Sequence, residues 1–500
     1  MSFVTVLSRA QIGLQAPLVR VEAHIGGGLP RFAVVGLAET AVKESRDRVR
    51  AAIRNAGLQF PQGRIIVNLA PADVPKEGGR FDLPIALGIL AASRQLSANQ
   101  DTWHQYEFYG ELGLNGSVRR FHGALPVTLA ARADRRTLVV PLENRDEVSV
   151  VSDSRILTAD HLNTVIAHLS GVKKQPLETT GGRRSHTQAL PDLADVRGQY
   201  YARRALEIAA TGGHSLLMIG PPGTGKSMLA MRLPGILPQM SEGEALETAA
   251  IQSLSTGGFS GQNWRVRPFR APHHTASAVA LVGGGSSPRP GEISLAHHGV
   301  LFLDELPEFQ RQVLEVLRQP MESGSIVISR AARQAEFPCR FQLVAAMNPC
   351  PCGHLGDPDV LCRCGAPQVQ RYRDRVSGPL LDRIDMQVAV NRVPRELLRL
   401  DAQPGESSAV IRQRVLQARN RQAERGAKCN AMMSEHDLRE FCALGGKATA
   451  LLEQAMKKLA LSARAYKRIL RVARTIADLG GERVIDAEHV GEAINFRTLS

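Results

Sequence analysis

Ser215-Leu-Leu-Met-Ile-Gly220-Pro-Pro-Gly-Thr-Gly-Lys226-Ser227-Met-Leu-Ala-Met-Arg-Leu233-Pro234 is the stretch on which the reading of this chain turns. Ser215 to Ile219 is a short apolar run, suited to a buried parallel strand. Ser227 to Leu233 carries a helical pattern that Pro234 is expected to end. Between them Gly220, Pro221, Pro222, Gly223, Thr224, Gly225, Lys226 and Ser227 fit the pattern G-x-x-x-x-G-K-[ST]. Glycines let such a loop curl until its backbone N–H groups face the phosphates of a nucleotide, and the helix N-terminus adds partial positive charge. Lys226 supplies a cation to the phosphates and Ser227 a hydroxyl to Mg²⁺. Gly220 to Met228 is therefore the expected nucleotide-binding segment, with ATP and Mg²⁺ as ligands.

A second apolar run, Val300-Leu-Phe-Leu303, ends in Asp304-Glu305. In an open α/β sheet, carboxylates at the C-terminal end of a strand lie beside the phosphate loop. Asp304 is then expected in the Mg²⁺ shell and Glu305 as the base that polarises an attacking water. A third run, Phe341 to Met347, ends in Asn348, which is either a turn residue or the amide that orients that water.

The 500 residues exceed one ordinary core and predict two to four domains. Residues 1–170 alternate short strand signals (Phe3–Leu7, Phe32–Val35, Ile65–Leu69, Thr137–Val140) with helical ones. The helical stretch Thr40–Asn55 puts Val42, Val49 and Ile53 on one face and Lys43, Arg46 and Arg50 on the other. Residues 171–190 lose periodicity and read as a linker. Strands and helices alternate again over 191–393. Residues 394–500 are nearly all helical, with a capping-box pattern at Ser434-Glu-His-Asp437 and a stop at Gly480-Gly481. The formal charge of +14 suits a polyanionic partner such as DNA or RNA. Seven cysteines are too few for a disulfide scaffold. The most apolar run, Leu83–Ala92, is broken by Pro84 and Gly88, so no membrane span is expected. The N-terminus lacks a secretory pattern, and the expectation is a cytoplasmic protein.

With phosphate loop, acidic strand end and Asn348 in this order, the chain resembles a AAA+ ATPase. Across nearly its full length it resembles the magnesium-chelatase-like YifB/ComM family of competence-associated proteins. The marks are Pro75-Lys-Glu-Gly-Gly-Arg-Phe-Asp-Leu-Pro84, Arg270-Ala-Pro-His-His-Thr275, Asn348-Pro-Cys-Pro-Cys-Gly353 and Ser377-Gly-Pro-Leu-Leu-Asp-Arg383-Ile-Asp385. The resemblance implies an α/β AAA+ core with a C-terminal helical lid. It makes Asn348 sensor 1, Arg383 the finger that reaches a neighbouring subunit's nucleotide, and Arg464 sensor 2, with Arg468 as the nearby alternative. An arginine suits both posts because its charge is permanent and its fork matches phosphate oxygens. A finger acting in trans requires a ring, and the family implies a homo-hexamer.

The resemblance further implies a helix-2 insert within Gly257–Ser294, where Arg265, Arg267 and Arg270 fall. It also makes Ser323–Phe337 a pre-sensor-1 hairpin. Arg330 and Arg333 at its turn are either DNA-phosphate contacts or a solvated tip. The pairs His273-His274 and His297-His298 lack partners at metal-ligand spacing and read as structural. Cys350-Pro-Cys352 and Cys362-Arg-Cys364 read either as a Zn²⁺ site or as reduced structural thiols. The front domain resembles the proteolytic domain of Lon, a ribosomal S5-type α/β fold, through Gly110-Glu-Leu-Gly-Leu-Asn-Gly-Ser-Val118 and Pro141-Leu-Glu-Asn144. Where that resemblance puts a nucleophilic serine and a lysine base stand Arg80 and Val127, so no peptidase activity is expected. The function so implied is an ATP-driven DNA motor that translocates on single strands or migrates branches. It would support DNA integration in natural transformation, alongside recombination or transformation proteins. The alternatives are a magnesium-chelatase motor subunit and a protein-remodelling unfoldase.

Overall fold

The structure, a computed structural model, describes residues 3–36, 40–98, 100–176, 178–179, 190–285, 288–330, 333–394, 397, 404–426, 429–459 and 461–497.

Two mixed α/β layers and a helical region make up the chain. The second layer carries the phosphate loop. Its five-stranded sheet runs Phe269–Arg270, Val300–Leu303, Gln342–Met347, Leu216–Ile219, Met386–Ala389 across its width. Every neighbouring pair is parallel. Strands buried on both faces need continuous apolar runs, and Val300–Leu303 and Gln342–Met347 are buried throughout. The loop-bearing strand lies inside the sheet, so its C-terminal end opens between two neighbours, where α/β sheets bind ligands.

The helix after the loop runs Lys226–Ile236 and passes through Pro234. That differs from the expected stop at Leu233. Leu233, Pro234, Gly235 and Ile236 are all buried, and that packing outweighs the one backbone hydrogen bond proline removes.

The expected helices beyond residue 394 form at Ser408–Glu424, Glu435–Phe441, Gly446–Lys458, Ala463–Gly480 and Ala487–Asn495. Ser434 and Asp437 close the capping box, and Gly481 caps the longest helix at φ 79°. Ile469, Val472 and Ile476 of that helix share one core with Val300, Val344 and Met386 of the sheet. Each such side chain contributes roughly 1.5–3 kcal/mol by burial.

The front domain is an eight-stranded sheet, in the order Glu178–Thr179, Arg155–Ala159, Thr137–Pro141, Tyr106–Phe108, Phe3–Arg9, Leu18–Gly26, Arg64–Ala70, Arg31–Val35. Thr40–Asn55 is helical, with Val49 and Ile53 buried; the side chains of residues 40–43, Val42 and Lys43 among them, lie outside the described set. Leu83–Ala92 belongs to the helix Asp82–Ala92, buried against this sheet. Gly88 permits that approach: a Cβ there would meet the Ala23 Cβ at 3.1 Å. The expected linker needs a correction. Glu178–Thr179 pairs antiparallel with Arg155–Ile156 and so edges the front sheet, a two-residue strand too short to register as periodicity. Residues 177 and 180–189 lie outside the described set.

Candidate nucleotide site

The phosphate loop is built as its glycines require. Gly225, at φ 88°, precedes the first helical residue. Gly220 lies so close to the last strand that a Cβ would meet the Val390 carbonyl oxygen at 2.1 Å. Both positions exclude a side chain. Thr224 Oγ1 donates to the Pro221 carbonyl at 2.9 Å and braces the curl.

Lys226 is buried, and its ammonium donates to the carbonyls of Gly220 (2.7 Å) and Pro221 (2.8 Å) and to Asn348 Oδ1 (3.2 Å). Burial lowers its pKa, opposed by the charge of Asp304. Ser227 Oγ donates to Asp304 Oδ2 at 2.5 Å. The structure thus brings Lys226, Ser227, Asp304 and Asn348, drawn from three neighbouring strand ends, to one point. A serine hydroxyl beside a carboxylate is a hard-oxygen pair that fits Mg²⁺.

Glu305 adopts a left-handed backbone, φ 51°, and its N–H donates to Asp304 Oδ1 at 2.9 Å. Its carboxylate is more than half exposed and stands 3.1 Å from His274 Nδ1. Sequence reasoning missed His274. Its signal was the pair in Arg270-Ala-Pro-His-His-Thr275, which was read for metal spacing and not as the end of a neighbouring strand.

Sequence reasoning also missed the cavity of about 420 Å³ beside the loop, lined by Val196, Gln199, Thr224, Met228 and Val393 among others. Gln199 Nε2 donates to the carbonyls of Thr224 (3.2 Å) and Asn391 (2.6 Å), tying the entrance of the core to the loop. A partly apolar hollow on the far side of the loop from Asp304 suits a nucleotide's base. Nothing in the composition of the run Val196–Gln199 marks it in advance.

Arg383 and Arg464 stand elsewhere. Arg383 precedes the strand Met386–Ala389, at the N-terminal end of the parallel sheet; the Ser215 N–H and hydroxyl bind Asp385 there. The phosphate loop starts at the opposite end of the strand, roughly 15 Å away. Arg383 Nη2 pairs with Glu322 Oε1 at 2.8 Å, and Arg464 Nη2 lies 3.7 Å from the same oxygen. Arg464 is half exposed. Arg468 donates to Asp385 Oδ1 at 2.7 Å and to the Arg383 carbonyl, and is a buried ion pair. Burial would raise the Asp385 carboxyl, but His214, Arg468 and the Ser215 N–H hold it well below the ordinary carboxylate range.

The expected hairpin forms from Ser325–Arg330 and Arg333–Pro338, antiparallel, with Arg330 opposite Arg333. The side chains of these two arginines lie outside the described set. Phe269–Arg270 is an edge strand of the central sheet, so Gly257–Ser294 is not wholly an insert. Arg270 makes a two-pronged pair with Glu292, both bonds at 2.6 Å, and Arg267 donates to the Pro238 and His298 carbonyls. Those charges serve the fold. His297 and His298 share Glu247, at 3.1 and 2.9 Å. In the front domain, Val127 is buried, and the Arg80 guanidinium lies 5.4 Å over the Phe121 ring and donates to the His122 carbonyl.

Family models described as "Magnesium chelatase, subunit ChlI", "Subunit ChlI of Mg-chelatase" and "Magnesium chelatase, subunit ChlI C-terminal" match residues 192–398, 21–144 and 405–497. The chain is 52% identical to Competence protein ComM of Haemophilus influenzae, over all of this chain and 98% of that protein. It is 50% identical to the uncharacterized protein YifB of Escherichia coli, with the same coverage. The magnesium-chelatase 38 kDa subunit of Rhodobacter capsulatus is 25% identical over 61% of this chain. Full-length identity of this order, together with a parallel sheet that gathers Lys226, Ser227, Asp304 and Asn348, shows that the chain belongs to the YifB/ComM family of magnesium-chelatase-like AAA+ proteins.

Proposed function

We propose that this protein is an ATPase that works as a homo-hexameric ring and moves along single-stranded or branched DNA, supporting strand integration during transformation. The observation that carries the reading is the meeting of Lys226, Ser227, Asp304 and Asn348, with Arg383 and Arg464 at the opposite end of the sheet. In this reading Lys226 and the loop N–H groups bind the β- and γ-phosphates. Ser227 and Asp304 would hold Mg²⁺, which when bound would supply charge neutralisation to the phosphoryl oxygens. Glu305 takes the proton of the attacking water, and Asn348 fixes that water's direction.

Neither arginine reaches its own loop, which supports Arg383 as a finger offered to a neighbour's triphosphate in a ring; Arg464, on the lid, stays the sensor 2 candidate. A basic chain, hairpin arginines and a relative named as a competence protein support DNA as the track. No helix among the described residues is long and apolar enough to cross a membrane, in keeping with a partner met in the cytoplasm. Arg80 and Val127 offer neither nucleophile nor base, so the front domain is a scaffold or collar, without peptidase activity.

The family models favour a second reading, a motor subunit that remodels a metal-inserting partner enzyme. The experiment is unwinding of a three- or four-way DNA junction by wild type and Glu305→Gln. Wild type should unwind the junction with ATP. The variant should bind ATP and assemble but lose turnover by about 10²–10³-fold. Absence of DNA-stimulated ATPase at low salt would overturn the DNA reading, and wild-type turnover in Glu305→Gln would overturn the assignment of the base.

A further inference from the structure

We propose that Cys350, Cys352, Cys362 and Cys364 hold one zinc ion, and that the resulting knuckle fixes the phosphate loop through contact of Gly353 with Pro222. The second half rests on the nucleotide site described above.

The sulfurs have the spacing of a coordination shell. Cys350 Sγ lies 3.4 Å from Cys352 Sγ and 3.7 Å from Cys362 Sγ, and Cys352 to Cys362 is 3.6 Å. All four sulfurs lie within 4.8 Å of one another. A tetrahedron with Zn–S bonds of about 2.3 Å has edges of about 3.8 Å. These gaps exceed a disulfide bond, and the described cysteines are all free. They enclose one atom and leave no room for an iron–sulfur cluster. Backbone N–H groups already point at the sulfurs: Cys364 N–H donates to Cys362 Sγ at 3.4 Å, and those of His354 and Arg363 to Cys352. Donors of this kind stabilise metal-bound thiolates.

The loop has no apolar core of its own among the described residues. From Pro349 to Gly365 it contains neither helix nor strand, and its aliphatic side chains Leu355, Val360 and Leu361 face solvent. Without a core, a segment of this length needs a cross-link to hold a shape. Its start and its middle are tied down: Cys350 is buried beyond Asn348, and Asp357 accepts from His354 Nδ1 and Arg392 Nε, both at 3.0 Å. Of the metals that take four thiolates, redox-inert zinc suits a structural post beside an ATP site.

The knuckle leans on the chemistry. Gly353, at φ 84°, turns the chain directly after Cys352. A Cβ there would stand 2.6 Å from Pro222 Cδ and 3.8 Å from Asn348 Cγ. Pro222 lies in the phosphate loop and Asn348 accepts from Lys226, so a rigid knuckle buttresses both walls of the γ-phosphate position.

The test uses the full-length protein purified without chelator. Elemental analysis should find one zinc per chain in wild type and none in the Cys352→Ser/Cys362→Ser double variant. Substoichiometric zinc in wild type, or iron in its place, overturns the site. Because the double variant can also fail to fold, wild type is exchanged with Co²⁺: absorption bands of a tetrahedral cobalt–thiolate complex support the site, and their absence overturns it. Gly353→Ala should keep its zinc yet bind a fluorescent ATP analogue about tenfold more weakly. Wild-type affinity in a zinc-loaded Gly353→Ala overturns the buttress. Analogue binding by wild type reads the nucleotide site separately, so its failure is distinct from failure of the metal site.

Discussion

Glu305 is held in a conformation that glutamate does not favour. A left-handed backbone costs a non-glycine residue about 1–2 kcal/mol, and here it falls where the strand Val300–Leu303 turns into a short helix. His274, from the end of the neighbouring strand, then fixes that carboxylate at 3.1 Å. Removing this contact should leave the loop intact and misplace the base. His274→Ala is expected to lower kcat about tenfold while ATP-analogue affinity stays within twofold. His274→Asn, which keeps a donor, should recover most of the loss. Equal kcat in wild type and alanine variant, measured by phosphate release, would refute the role. His297 gives a second residue-scale outcome. Burial and the neighbouring His298 push its pKa down to about 4, and its Nδ1 accepts from the Arg340 N–H. The unfolded chain titrates near 6.5, so it binds the extra proton first as pH falls. Stability is therefore complete above about pH 6.5 and drains toward pH 4, by about 2 kcal/mol between pH 7.5 and 5. Urea midpoints at both pH values should show that drop in wild type and a smaller one in His297→Asn. Lys226, Ser227 and Asp304 were legible in the sequence because their side chains and spacing state their chemistry. His274 and Gln199 were not, because sheet order alone brings them to the site.

Elements were legible where periodicity ran long. The helix Thr40–Asn55 and the five C-terminal helices announce themselves by apolar spacing and caps. The strand Glu178–Thr179 has two residues and no period, and Pro234 reads as a helix stop until the burial around it is known. The hairpin Ser325–Arg330 and Arg333–Pro338 lies between these cases. Its strands were legible, and its purpose depends on what meets the tip. Upstream, Arg270 is committed to Glu292 and Arg267 to backbone carbonyls. If Arg330 and Arg333 contact DNA phosphates, Arg330→Ala/Arg333→Ala should weaken single-strand binding without sequence preference. The slope of log affinity against log salt should become shallower by about 1 to 2. ATP-analogue affinity should not change. An unaltered salt slope in fluorescence anisotropy would show that the tip is merely solvated.

At the scale of the whole molecule, front domain and ATPase core form one packed unit. Leu125, Val150 and Val151 join Met240, Ala249 and Trp264 in a shared cluster, and the Leu125 N–H donates to Ser253 Oγ at 3.3 Å. Such apolar residues look like any core residue in sequence, so this docking was not legible. The same scale bears on the proposed roles of Arg383 and Arg464. Both approach Glu322, at the end of the sheet remote from their own phosphate loop. If Arg383 is the finger, a subunit's own Lys226 and loop hold its γ-phosphate while the second cation comes from another copy. Two variants separate this from a self-contained enzyme. Arg383→Ala keeps Glu305 but offers its neighbour no finger, and Glu305→Gln offers a finger but has no base. Each alone should hydrolyse ATP at a small fraction of the wild-type rate. Mixed in equal amounts and allowed to assemble at random, about a quarter of the sites pair an intact base with an intact finger, and ATPase should rise to about a quarter of wild type. The recovery should vanish on dilution below the assembly concentration. A mixture no faster than the mean of its components would mean that Arg383 acts within its own chain, and the ring would lose its chemical necessity.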